Sequence, residues 1–344
     1  MAKLSRLLDR KFTLWRLRGR IGHFASAGGR RVSVAVRDDP ALADVPDFFS
    51  VTLRRRGRRV EIGFSFRRIR QSPGVAEFYT RRPGILVRLL AEANPSVEGF
   101  PGSIGDGCGA RVAGFASADP TAILVPDPYF FNTRGYDGER RLGAADTGAW
   151  RERSGDIIWR GAPNGVGSCT SARMSPDDPD LIQRTRLCLI LKGMAGVDAA
   201  FVDAAMATIK PGDAAALAGA GIVGSWIRTA EWKQRRFAID VDGNTSAWSN
   251  LFHRLLLGCC VIKVGSQHGF RQWYYGDLVP WRHYVPVKPD MSDLVEKIEW
   301  CRKHPDECET IAAAGQALAM SMTFERELAR GVDAINRAFG GKGA

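Results

Sequence analysis

The chain has 344 residues, 45% hydrophobic and 25% charged, a composition that excludes a disordered chain and provides for two domains of ordinary size. Its 49 basic and 37 acidic residues leave a formal charge of +12, which points to an anionic partner: a phosphorylated ligand, nucleic acid or an acidic membrane surface. No run approaches the roughly 18 apolar residues of a membrane span, no signal peptide is visible, and seven cysteines without CxxC spacing argue against zinc or a disulfide framework, so reduced thiols and a cytoplasmic location are expected.

Residues 1–22, MAKLSRLLDRKFTLWRLRGRIG, place Leu4, Leu7, Leu8 and Trp15 near one helical face, with Lys3, Arg6, Arg10, Lys11 and Arg18 mostly off it. Such a helix suits an anionic lipid interface, and equally the surface of its own domain with a solvated basic side. RRVSVAV and FFSVTLRRRGRRVEIGFSF then alternate at period two around Gly57, which predicts a hairpin with an arginine-rich tip. That tip can contact phosphates or simply discourage strand pairing. GILVRLLAEA predicts a helix.

From residue 120 short apolar strands alternate with loops and helices. TAILV is closed by Pro126-Asp127-Pro128, DIIW by Arg160-Gly161, and after LIQRTRLCLILKG comes a long Ala-rich stretch. RFAIDV, a helix from Trp248 to Leu257 and the strand CCVIKV follow. Helices complete the chain: SDLVEKIEWCRKH opened by Ser292, one opened near Pro305, and one from about Thr323 to Phe339. The alternation predicts a largely parallel α/β sheet, with a domain seam near residue 150 after YDGERRLGAADTGAW. The expected domains are 1–150, with the basic helix and hairpin, and 151–344, ending in helices.

The stretch FAIDVDGNTSAWSNLF holds the first candidate site. Asp240 and Asp242 could pair on Mg²⁺ or Mn²⁺, but Asp242 precedes a Gly-Asn turn, where an aspartate usually bonds its own backbone. The alternative is a loop at the carboxyl end of a parallel strand, leading into a helix N-terminus whose free N–H groups suit a diphosphate. Gly243 lets that loop approach a ligand closely. Farther on, QWYYGDLVPWRHYVPVKPDMSDL interleaves Trp273, Tyr274, Tyr275, Trp281, His283 and Tyr284 with cations, which suits stacking on a base or sugar and suits core packing equally.

DVDGNTSAWSNLFHRLLLGCCVIKV, QWYYGDLVPWRHYVPVKPDMSDLVEKIEWC and IIWRG together resemble glycosyltransferase family 90, which includes protein O-glucosyltransferases, fungal capsule-associated xylosyltransferases and bacterial lipopolysaccharide-modifying transferases. The likeness runs from about Ala122 to Gly315, and the bacterial type shares PDPYF and RQWYY in similar places. The resemblance implies a GT-B architecture, two Rossmann-like domains, with residues 1–150 on the acceptor side and 151–344 binding the nucleotide-sugar. It further implies inversion at the anomeric carbon, no metal cofactor, a nucleoside-diphosphate donor such as a UDP-sugar, and a lipopolysaccharide or other cell-surface glycan as acceptor. A place on the inner face of the cell membrane, peripheral to it, fits the basic N-terminal stretch.

Inversion needs a general base. The family carries a carboxylate just after a strand of its first domain, and Asp127 matches that placement; an alternative alignment on NTRGY leaves Gly135 there and Asp137 as the substitute. The plain structural reading of Asp127 is a turn aspartate between prolines. On the donor side the resemblance carries over Arg160 as phosphate clamp with Gly161, then Asp242, Gly243, Asn244, Ser246, Trp248 and Ser249 as the phosphate loop, with Gln272 and Tyr274 near the nucleotide. Asn250 stands where an arginine commonly follows, and Arg254 one turn later is the compensating cation; Gln272 replaces a glutamate. Two other readings stand beside this one: a basic nucleic-acid-binding protein, which lacks any nucleic-acid module, and a family member that binds glycan without turnover.

Overall fold

A computed structural model describes residues 15–71, 77–145 and 148–341. Leu4, Leu7 and Leu8 of the expected amphipathic helix lie outside the described residues. Its remainder is helical over 15–25 (α1), where Leu17, Ile21 and Ala25 are buried at four-residue spacing and Trp15 is 70% exposed. That spacing assigns the described part of the helix to the protein's own core.

The chain divides into two compact units. The first runs to Tyr136 and also takes Arg271–Trp273 and the residues from Thr323 on; the second holds Asp137–Phe270 and Tyr274–Met322. Both are mixed α/β.

The first unit is built on a six-stranded sheet, β1 (Ser33–Asp38), β2 (Ser50–Arg56), β3 (Arg59–Phe64), β4 (Gly99–Ser103), β5 (Ala113–Gly114) and β7 (Ile123–Leu124), in the order β1-β3-β2-β4-β5-β7. The expected hairpin is β2–β3, antiparallel, turning at Gly57 with φ +57°. Its arginines divide by role. Arg55 turns onto the carbonyls of Leu90 and Ala93, the end of α4, where a cation meets unpaired acceptors; Arg54, Arg58 and Arg59 stay exposed. Helices α2 (Phe66–Gln71), α3 (Phe78–Arg81), α4 (Pro83–Glu92) and α5 (Pro128–Asn132) belong to this unit. So does the antiparallel pair of β6 (Ala116–Ser117) with β13 (Arg271–Gln272), and so does the final helix α13 (Phe324–Phe339), capped by the Thr323 hydroxyl.

The second unit holds the predicted parallel pairing, divided between two three-stranded sheets. One has the order β10-β9-β8, with β8 (Ile157–Gly161), β9 (Val197–Val202) and β10 (Val223–Gly224). The other has β11 (Phe237–Asp240), β12 (Cys260–Val264) and β14 (Val285–Val287) in sequence order. Helices α6 (Asp137–Ala144), α7 (Gln183–Leu191), α8 (Pro211–Gly219), α9 (Thr229–Trp232), α10 (Ser249–Leu256), α11 (Leu294–Lys303) and α12 (Pro305–Ser321) complete it. Ile157, Trp159, Phe201, Phe237, Ile239 and Ile262 share one core. All seven cysteines are free thiols, five of them buried. Among the described residues no helix is long and apolar enough to cross a membrane.

Candidate functional site

Two groups of polar residues stand out, one in each unit. In the first unit, β7 ends at Leu124 and the chain reaches Asp127, which is wholly buried and is the N-cap of α5. Asp127 Oδ1 accepts the backbone N–H groups of Tyr129 (2.7 Å) and Phe130 (2.9 Å). Oδ2 accepts the Tyr136 hydroxyl at 3.0 Å and lies 3.5 Å from the Gln272 amide nitrogen. Burial pushes the carboxyl up to about 6, against the hydrogen bonds from Phe130, Tyr136 and Tyr129 and the charge of Arg82.

Tyr136 is the residue that sequence reasoning missed. It arrives on a run of three left-handed residues, Arg134 (φ 54°), Gly135 (φ 80°) and Tyr136 (φ 60°). Two of these are not glycine, so the backbone is held there at a cost, a feature that gathers at functional positions. The segment NTRGY, an alternative to Asp127 by alignment, thus supplies the phenol bonded to Asp127. Asp137, its substitute carboxylate, opens α6 on the surface and pairs with Arg141.

In the second unit the loop singled out in the sequence follows β11. Asp240 is buried and ion-paired with Lys263, Nζ to Oδ2 2.9 Å. Asp242 is 7% exposed, and neither of its oxygens has a hydrogen bond of normal geometry. Asn244 is exposed; Ser246 is buried, and its hydroxyl accepts the Trp248 N–H at 3.3 Å. Trp248 caps α10 at φ 52°, again left-handed without being glycine, and Ser249 opens the helix. Of the two candidate metal-pairing carboxylates, Asp240 is the one paired with Lys263; among the described residues no group of three or more His, Cys, Asp or Glu side chains is placed to hold a metal ion.

The cations of this unit differ sharply in what they hold. The Arg160 guanidinium is spent on the Asp198 carboxylate, with Nη2–Oδ2 2.5 Å and Nη1–Oδ1 2.9 Å, and on the carbonyls of Ser225 and Trp159. A diphosphate would have to displace Asp198 to be clamped by it. Arg184, on α7, is likewise taken up by the carbonyls of Asp242 and Ala162 and by the Asn164 side chain. Arg254 is 8% exposed and has no hydrogen-bond partner among the described residues; it lies 3.4 Å over the Trp232 ring and borders a small cavity with Trp159, Asp240 and Asn250. Burial lowers its pKa to about 10, so it stays charged near neutral pH.

Gly161 ends β8, where a Cβ would stand 2.5 Å from the Trp159 ring. Tyr274 is buried, its ring edge-on to Phe252 at 5.1 Å. Gln272 belongs to the first unit, beside Asp127.

Residues 193–326 match the sequence model of glycosyl transferase family 90. Protein O-glucosyltransferase 2 of Danio rerio is 38% identical over 84 residues, 24% of this chain and 16% of that protein. Protein O-glucosyltransferase 3 of Homo sapiens is 35% identical over 88 residues, 25% of this chain and 17% of that protein. The uncharacterized protein 027R of Frog virus 3 is 29% identical over 205 residues, 54% of this chain. The matched stretches span a fifth or less of each of these relatives. Over part of its length the chain is thus similar to glycosyl transferase family 90 and to protein O-glucosyltransferases.

Proposed function

We propose that the protein is an inverting glycosyltransferase in which Asp127 is the general base. The donor is a nucleoside-diphosphate sugar of the UDP type, bound without a divalent metal. The acceptor is a glycan hydroxyl, on a lipopolysaccharide or another cell-surface glycan. The single observation that carries the chemistry is Asp127: a wholly buried carboxylate whose proton affinity is raised to about 6, close to where a base works best. The name of these relatives, protein O-glucosyltransferase, supports transfer to oxygen. In this reading the two units correspond to the two domains of a GT-B enzyme.

Transfer is one displacement. Asp127 Oδ2 takes the acceptor hydroxyl's proton as that oxygen bonds to the anomeric carbon, and the bond from that carbon to the diphosphate breaks with inversion. Oδ2 is the oxygen for this task because Oδ1 is held by two backbone N–H groups. The departing diphosphate carries the negative charge, which the Arg254 guanidinium and the first N–H groups of α10 stabilise. The pairing of Asp240 with Lys263 supports a donor loop that works without a metal. The basic N-terminal stretch suits a cytoplasmic protein held at the inner face of the membrane.

Asp127→Asn tests the assignment, because asparagine also caps a helix but cannot accept a proton. Sugar transfer should fall by about two to four orders of magnitude, with nucleotide affinity unchanged within a factor of about two. Transfer at the parental rate would remove Asp127 from the chemistry, and the same loss in Asp137→Asn instead would shift the base there.

A further inference from the structure

The first unit holds a further concavity, and a strand register creates it. β1 and β3 pair in parallel with Ser33 beside Arg59, so Arg31 and Val32, just before β1, and Arg58, just before β3, come to the same end of the sheet. α1 is tied to that end: the Ser26 hydroxyl donates to the Gly22 carbonyl at 2.7 Å and accepts the Val32 N–H at 3.2 Å. Gly19, Gly22 and Ser26 keep this side of the helix low. An open groove of about 720 Å³ results, lined also by His23, Arg31, Arg58 and Asn132. That volume lies within the range of small-molecule sites.

The lining groups say what the groove takes. Arg30 is paired with Glu92, and Arg88 is committed to the carbonyls of Ala27 and Arg30. Arg31 and Arg58 differ: both are exposed, and neither guanidinium has a hydrogen bond or ion pair among the described residues. No aspartate or glutamate among those residues lines the groove. Two unpaired cations in a concavity draw an anion, and the planar guanidinium fits a phosphate or a carboxylate. One lining group asks for something else. Asn132 Nδ2 donates to the Arg81 carbonyl at 3.3 Å, but its Oδ1 is buried with no partner, and a buried acceptor needs a donor. An anion together with a hydroxyl describes an acidic sugar. The chain's own first 14 residues do not fit, since Lys3, Arg6, Arg10 and Lys11 against Asp9 alone give them the groove's own sign.

We propose that this groove seats an acidic saccharide, the part of the acceptor that carries a phosphate or carboxylate group, with Arg31 and Arg58 on the anion and Asn132 on a hydroxyl. Asn132 is the last residue of α5 and Asp127 is its N-cap. The groove and the proposed base therefore stand at the two ends of one short helix, their backbones about 8 Å apart by its rise per residue. An oligosaccharide spans that distance. This inference rests on the transferase reading proposed above, and it narrows the acceptor to an acidic glycan.

The test is calorimetry on the full chain, without nucleotide, using tetragalacturonate, pentamannose phosphate, maltotetraose and inorganic phosphate. Wild type should bind at least one acidic saccharide about tenfold or more tighter than maltotetraose. Arg31→Gln combined with Arg58→Gln should weaken that binding about a hundredfold, about tenfold for each charge-assisted hydrogen bond. Arg54→Gln combined with Arg59→Gln removes the same charge from exposed positions outside the groove and should change it by less than about threefold. Equal weakening by the two pairs would overturn the site in favour of diffuse charge. Inorganic phosphate bound as tightly as the saccharides would overturn the saccharide in favour of a plain anion site. Vesicles of phosphatidylglycerol in phosphatidylcholine that bind wild type and not the groove variant, with neither acidic saccharide bound, would overturn it in favour of a lipid headgroup. Wild type binding both acidic saccharides no better than maltotetraose overturns the inference whether or not the variants fold. Because no turnover is measured, a failure here leaves the Asp127 reading standing, and a failure of Asp127→Asn to slow transfer leaves the groove's saccharide binding in place.

Discussion

In the proposed mechanism Asp127 has two roles that place opposite demands on a side chain. As an N-cap it accepts backbone N–H groups, which lower its proton affinity, and as a base it must draw a proton from the acceptor. Burial reconciles them, because it raises the carboxyl from 3.8 to about 6 against those hydrogen bonds. The sign of the stability effect follows. The folded form holds this proton more tightly than the unfolded chain, so the group's contribution is greatest below about pH 4 and is lost as pH rises through about 6. The upper bound of that loss is about 3 kcal/mol, from the difference between 3.8 and 6. Asp127→Asn, which does not titrate, should therefore gain stability relative to wild type between pH 4 and 7, as read from denaturant midpoints; a constant difference across that range would contradict the raised value. Wild-type transfer should rise with pH through about 6 and level off. A second prediction separates the two arginines of the donor side. Arg254→Ala removes a buried cation that has no hydrogen-bond partner among the described residues and should weaken UDP binding by about 1.5–3 kcal/mol. Arg160→Ala breaks the pair with Asp198 and should show chiefly as a lower melting temperature, with affinity nearly unchanged by calorimetry.

Among the elements, α10 is the one that the proposed donor loop leads into, and its position is set by close packing. Gly143 on α6 lies so near the end of α10 that a Cβ there would stand 2.1 Å from the Leu256 carbonyl oxygen. The Gly143 carbonyl also accepts from Lys233 Nζ (2.7 Å) and Gln316 Nε2 (3.1 Å), tying α6 to α12 and to the chain after α9. Gly143→Ala cannot be absorbed by a side-chain rotation, since the obstacle is backbone. It should cost about 1–3 kcal/mol, the range for overpacking, and a thermal melt within 1 °C of wild type would contradict the packing argument. Strand β9 shows how an element escapes notice. Its sequence VDAAFV sits in an alanine-rich stretch and has little of the β-branched patterning that marks a strand, and its partners β8 and β10 specify it instead.

At the scale of the whole molecule, part of the basic excess behind the net charge of +12 is used inside the units. Arg37, Arg55, Arg82, Arg88, Arg160 and Arg184 are spent on carbonyls and carboxylates inside their own units. The excess is therefore partly a device for satisfying buried acceptors rather than an electrostatic invitation to nucleic acid. The same logic governs the metal question, since Lys263 already neutralises Asp240 at 2.9 Å. UDP should bind with equal affinity in the presence of EDTA and of Mg²⁺; affinity abolished by the chelator would return Asp240 and Asp242 to a metal-binding role.

The sequence alone determined the elements whose signal is local. The hairpin turning at Gly57, the strand–loop–helix from Phe237 to Leu256, the Thr323 cap and the helix starting at Pro305 all follow from alternation, turn residues or caps within a few positions. It also isolated Asp127 and the loop after Asp240, because each closes an apolar strand. Only the tertiary structure decided which side chains those groups meet. Asp127 and Gln272 are 145 residues apart, and Arg160 and Asp198 are 38 apart. No pattern along the chain reports such a distance closing. Which arginine pairs with a carboxylate, and which lies over an aromatic ring, is likewise a property of the packed unit, because a charge meets its partner only once its neighbours have arrived.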